Sequence, residues 1–117
     1  MTTKEIADDV VAMAKAGDFD SIGAKYWADD VVSIEAMDGP MAQLAGKAAV
    51  EAKNAWWTGA HEVHSAETFG PFVNGDQFAV RWLMDVTMKE NGHRMTIDEV
   101  ALYTLRDGKI AEERFFY

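Results

Sequence analysis

The chain has 117 residues, 49% hydrophobic and 26% charged, a composition that fits one folded domain, residues 1–117, with a single core. Its 20 acidic and 11 basic residues leave a net charge of −9, which repels nucleic-acid phosphates and anionic membrane surfaces. Without cysteine there is neither a disulfide framework nor a thiolate metal site, and no run approaches the ~18 apolar residues of a membrane span. A cytoplasmic protein without cofactor, membrane partner or nucleic-acid partner is expected.

The opening KEIADDVVAMAKAGD predicts a helix. Ile6, Val10, Met13 and Ala14 recur at helical spacing, acids come early, Lys15 comes late, and Gly17 is a stop signal. Asp18 can cap a second short helix with Phe19, Ile22 and Tyr26 on one face. DDVVSIEA then reads as a strand that places Val31, Ser33 and Glu35 on one face, with Val32 and Ile34 on the other. After the loop MDGPMAQLAG, residues Lys47 to Trp57 are rich in Ala, Lys and Glu and free of Gly and Pro, predicting a third helix.

From there the pattern is β. HEVHSAETF, QFAVRWLMDVTMK, RMTIDEVALYTL and KIAEERFFY are separated by NGD, ENG and RDG, and Asn-Gly and Asp-Gly are strong hairpin signals. Gly70-Pro71 is expected to bend or bulge the first of these strands. Helices first and a long meander afterwards give an α+β class. Three N-terminal helices pack on a strongly curved, mixed, mostly antiparallel sheet, and the resulting cone encloses a pocket.

One strand raises a chemical question. In RMTIDEVALYTL the neighbours Asp98 and Glu99 must point to opposite faces, so one carboxylate lies on the buried side. Such a group has to be paired, kept protonated, or turned towards a cavity.

In this order, AGDFDSIGAKYWADDVVSIEA, LAGKAAVEA, FAVRW and LYTLRDGKIAEERFFY resemble the nuclear transport factor 2-like superfamily, and within it the SnoaL-like and ketosteroid-isomerase-like small proteins. The resemblance covers nearly the whole chain. It implies the cone fold and places the isomerase-like general base at Glu35. The isomerase's oxyanion-stabilising acid falls at Ala101 and its tyrosine donor near Val10, neither of which can donate a hydrogen bond through its side chain. The electrophilic half of that mechanism is therefore missing at the family positions.

The register implied by the resemblance turns Ile97, Glu99, Ala101 and Tyr103 inward, with Trp82, Met84, Val86 and Met88 beside them. Asp98, Val100 and Leu102 then face outward, along with Arg81, Leu83 and Asp85. Glu113, Phe115 and Tyr117 on the last strand, and His64 and Ala66 on the strand from His61, also turn inward. The candidate catalytic residues are Glu35 as base, His64 as its partner or a second acid/base, and Glu99 as an acid of raised pKa. Lys53, Trp57, Trp82, Met84, Tyr103, Glu113, Phe115 and Tyr117 are the candidate substrate-binding residues. Glu99 with His64, or Glu35 with Lys53, can equally be buried pairs that only fix the fold. His61 and His64, three apart on a strand, cannot chelate a metal together, and none is expected.

The leading expectation is a small-molecule protein with an apolar cone pocket, acting as an isomerase, cyclase or hydrolase by proton transfer. The alternative is a non-catalytic ligand-binding or dimerisation module with a plugged cavity. An outward apolar stripe of Ala79, Leu83, Val100, Leu102 and Phe116 predicts a homodimer through the outer sheet face, with Arg81 and Asp85 free for reciprocal ion pairs.

Overall fold

A computed structural model describes residues 1–117 as three helices and one six-stranded, curved, open sheet. The elements are α1 (Thr3–Lys15), α2 (Phe19–Tyr26), β1 (Trp27–Ile34), β2 (Gln43–Ala45), α3 (Lys47–Ala60), β3 (His61–Asn74), β4 (Gln77–Met88), β5 (Arg94–Arg106) and β6 (Lys109–Phe116). The strands lie in the order β2-β1-β6-β5-β4-β3. Only the β1–β6 pair is parallel, so the sheet is mixed and mostly antiparallel, as the patterning predicts.

Local chemistry accounts for the boundaries. Thr2 and Glu5 form a reciprocal capping box that satisfies two free N–H groups at the start of α1. The Asp18 carboxylate accepts from the Ser21 N–H and starts α2. Between α2 and β1 the chain turns with the Trp27 ring lying against Gly23, where any Cβ would meet the indole at 2.6 Å. In the β5–β6 hairpin, Asp107 and Gly108 both have positive φ, 53° and 76°, the conformation an Asp-Gly turn supplies at low cost.

The core lies between the helices and the inner face of the sheet. Ile6, Val10 and Ala14 from α1, Ile22 and Tyr26 from α2 and Val50 from α3 bury against Val31, Phe78, Val80, Val86, Ala101 and Ile110. Burying each of the larger aliphatic side chains contributes roughly 1.5–3 kcal/mol. Burial alternates strictly along β4 and holds the predicted phase on β5, with Asp98 exposed and Ala101 and Tyr103 buried.

Several details differ from the sequence reading. Strand β1 begins at Trp27, α3 continues to Ala60, and the loop before α3 contains β2, whose three residues are too few for a periodic signal. Strand β3 carries two register shifts, one between Phe69 and Phe72 at Gly70-Pro71, as expected, and one between Val63 and Ser65. The second inserts His64 as an extra residue and reverses the parity of everything before it. His64 therefore lies on the outer face, where its Nε2 is 2.6 Å from Thr87 Oγ1, and His61 takes the inner, buried position. Arg81 and Asp85 are also not free. Arg81 forms a two-pronged ion pair with Asp98, and Asp85 does so with Arg94.

Candidate functional site

Directly opposed residues on neighbouring strands share a face, so the registers build the inner wall row by row. Phe78, Tyr103, Glu113 and Ser33 form one row across β4, β5, β6 and β1. Val80, Ala101 and Phe115 form the next, and Trp82 faces Glu99 in the third. Glu35 follows β1 directly, and Tyr117 follows β6. Along the same face Met84 opposes Ile97.

Helix α3 supplies the cation. Lys53 Nζ donates to Ser33 Oγ at 2.8 Å, pairs with the Glu35 carboxylate, and lies 5.1 Å over the Phe115 ring. The Tyr117 hydroxyl donates to the other Glu35 oxygen at 3.0 Å. Glu35 and Lys53 thus form the pair that the sequence left open as a structural alternative. Ser33 completes it, and its sharing of Glu35's strand parity is the signal that could have found it.

Glu99 and Glu113 differ from Glu35. Burial first, then the Glu35 carboxylate, pushes Glu99 up to about 7, against the pull of the Lys53 ammonium. Burial pushes Glu113 up to about 7 as well, with Lys53 holding it down and Glu35 and Glu99 driving it up. Hydrogen bonding is not among the causes for either, so two acids sit on this wall without a donor to hold them ionised. Tyr103, opposite Glu113 and on the strand of Glu99, is almost fully buried and is driven well above its ordinary range by burial and by both carboxyls. Burial and the bond to Glu35 raise Tyr117 too. The Trp82 indole N–H is buried without a partner.

Eight of the predicted site residues therefore share one stretch of inner wall: Glu35, Lys53, Trp82, Glu99, Tyr103, Glu113, Phe115 and Tyr117. Met84 lies further along it. Trp57 packs on the core and stacks on His61 with ring centroids 4.4 Å apart. His64 is on the opposite face of the sheet and cannot partner Glu35 or Glu99. Two open cavities, about 340 Å³ and 290 Å³, flank Trp27, the first beside Asp29, Asp30, Lys47, Arg106 and Lys109 and the second beside Asp20, Glu51 and Asn54. Neither is lined by the three glutamates. Chemically, the wall combines an ion-paired carboxylate with two acids that exchange protons near neutral pH, a set suited to giving and taking protons.

The family profile of the SnoaL-like domain matches residues 1–117. A Mesorhizobium loti protein, proposed to be a SnoaL-like polyketide cyclase, is 54% identical over 100% of both chains, with a TM-score of 0.97. An NTF2-like protein of Burkholderia xenovorans LB400 is 23% identical over 97% of this chain and 87% of its own, with a TM-score of 0.79. A proposed isomerase of Bacillus subtilis is 18% identical over 98% of this chain and 88% of its own, also with a TM-score of 0.79. At those lower identities the likeness is one of fold. No curated protein sequence matches. No helix is long and apolar enough to cross a membrane.

Proposed function

The chain belongs to the SnoaL-like family, and on that premise we propose that it binds a mainly apolar small molecule on the inner wall of the cone and moves a proton on it. Glu35 is the base, Glu99 is the acid, and Tyr103 and Glu113 donate hydrogen bonds to charge that develops on the substrate. The observation that carries this reading is the contrast within one wall. Glu35 is engaged by Lys53 and Tyr117, while Glu99 and Glu113 beside it hold their protons up to about pH 7. Two groups of opposite readiness in one site are what acid/base chemistry at neutral pH requires. Tyr103 and Glu113 also offer the electrophilic half that Ala101 and Val10 cannot supply. Isomerisation and cyclisation both fit this set, and the proposed cyclase and isomerase identities of the similar proteins agree with it.

The test is proton exchange. In D2O, simple ketone and β-diketone probes should exchange their α-protons faster with the protein than with buffer alone. Glu35→Gln should abolish the excess rate and Glu99→Gln should lower it. Binding of the probes without any excess exchange would leave a binding module and remove the catalytic roles.

The apolar outer face supports a homodimer. Phe69, Arg81, Val100 and Phe116 form one row there, and Phe72, Ala79, Leu102 and Arg114 form the next. Phe72 and Phe116 are 63% and 49% exposed in the single chain, more apolar surface than an isolated sheet face usually leaves to water.

A further inference from the structure

An ammonium has three N–H donors and accepts nothing. Lys53 gives one to the Ser33 hydroxyl oxygen at 2.8 Å and one to the Glu35 carboxylate, and no protein atom accepts the third. Its supports differ in kind. Glu35 carries the counter-charge only while ionised, whereas Ser33, fully buried on β1, and the Phe115 ring, 5.1 Å from Nζ, hold the ammonium whatever the state of Glu35. A lysine tied to Glu35 alone would swing into water once that carboxylate took a proton, but this one is anchored. The pair is also open to a ligand, because the Lys53 and Glu35 side chains are 14% and 21% exposed. The other paired basic side chains turn elsewhere: Lys25 to Asp9, Arg81 to Asp98, Arg94 to Asp85 and Arg106 to Asp30.

We propose that Lys53 is the counter-ion that proton transfer hands from Glu35 to the oxygen of a carbonyl substrate, with Ser33 as the positioning residue that keeps it in place. The inference rests on the proton-transfer reading above and names its substrate class, carbonyl compounds with a hydrogen on the adjacent carbon. That carbon and the carbonyl oxygen are two bonds apart, so a carboxylate and an ammonium in direct contact can serve both.

The step conserves charge. The C–H bond breaks as its proton passes to Glu35, and the bonding electron pair moves through the carbonyl to leave an enolate oxygen. Glu35 becomes neutral as the enolate becomes negative, so Glu35, Lys53 and substrate together carry one positive and one negative charge before and after. The ammonium meets the new charge through its third N–H without leaving Ser33, and such preorganisation is what makes a fixed charge effective in catalysis. Each Glu35 oxygen receives one contact, from Lys53 or from Tyr117, and keeps a second lone pair for the incoming proton. Glu99, Tyr103 and Glu113 hold their protons throughout, as the proposed roles require.

4-Nitrophenol, whose phenolate mimics an enolate and is seen by its yellow colour, tests the transfer without turnover. At about pH 6 the unmodified protein should bind it as the phenolate, and the 13C carboxyl signal of Glu35 should move to its protonated position as it does so. Lys53→Met, first shown to melt cooperatively, should abolish the bound phenolate and raise the midpoint of the Glu35 titration in the free protein, and Lys53→Arg should restore both in part. Ser33→Ala, checked in the same way, should leave that midpoint near the parent's yet weaken phenolate binding about tenfold or more, a split that general loss of structure would not give. In the D2O experiment, Lys53→Met should lower kcat for 2,4-pentanedione exchange about a hundredfold or more with KM little changed. Nitrophenol bound in its neutral form beside an ionised Glu35, or exchange by Lys53→Met at the parent's rate, overturns the transfer and leaves the proton-transfer reading standing. Failure of nitrophenol to bind overturns it as well, and the exchange rate of the parent then judges that reading separately. A parent that binds the phenolate as described but exchanges no α-protons loses the catalytic reading and keeps Lys53 as the counter-ion of a bound oxyanion.

Discussion

Glu99→Gln keeps the shape of the side chain and removes its charge, so it isolates the cost of holding a carboxylate on the inner wall. In the folded chain Glu99 is pushed up to about 7 from an ordinary value of 4.5. The folded state therefore binds the proton more tightly than the unfolded one. Below pH 4.5 both states carry it and no penalty exists. Between about 4.5 and 7 the unfolded state sheds its proton first, so stability falls as pH rises, and above 7 the loss is complete. At 1.36 kcal/mol per unit the full penalty is about 3 kcal/mol. It is an upper bound, because Glu99 is only partly buried and solvent screens part of the penalty. Glu99→Gln should thus melt up to about 10 °C higher than the parent at pH 8.5 and match it near pH 4. Paired thermal melts across that range measure the difference. A variant less stable than the parent at pH 8.5, or a difference that does not change with pH, would show that Glu99 is stabilised by a cationic partner and refute the assignment.

Three further outcomes follow from the placement of individual residues. Trp82→Ala removes a ring packed edge-on against Phe19 and Tyr103 and should cost roughly 3–5 kcal/mol in denaturant melts; a loss below about 1 kcal/mol would mean the ring is not part of the core wall. His64→Ala and Asp98→Asn alter the outer face only, so both should leave proton exchange at the parent's rate, and a loss with His64→Ala would contradict its displacement by the β3 bulge. Light scattering at micromolar concentration should give a mass about twice 13.0 kDa. Leu102→Asp should return it to the monomer value, whereas a parent already at the monomer mass removes the dimer.

Much of this was legible in the sequence because the relevant signals are periodic. The resemblance turned Ala101 inward and strict alternation carried that phase along β4 and β5, so Glu99 and Tyr103 fell on the wall where parity put them, while a shift in the β5–β6 ladder between Thr104 and Leu105 leaves Glu113 opposite Tyr103. His64 failed for the complementary reason. One inserted residue inverts parity, and the string HEVHSAETF is exposed nearly throughout, so no burial pattern marks the insertion. The Glu35–Lys53 pair spans a strand and a helix, a distance periodicity does not measure, and the sequence offered it only as one alternative. Ser33 was on the correct face but carried no charge to draw notice. Arg81 and Asp85 were assigned to a partner because diagonal neighbours on adjacent strands, here Asp98 and Arg94, become apparent only once the registers are known.

The parallel pairing of β1 with β6 sets the order in which this inner wall can form. Ser33 opposes Glu113 across that pairing, so residues 80 positions apart must meet before the lysine, the three glutamates and the two tyrosines share a wall. Hairpins such as β4–β5 close through short loops and can form early, whereas the β1–β6 ladder demands the largest loss of chain entropy in the sheet. A chain still emerging from the ribosome therefore has its apolar strands exposed and no site at all until residues 109–116 are in place. The shared wall and the completed fold arrive together.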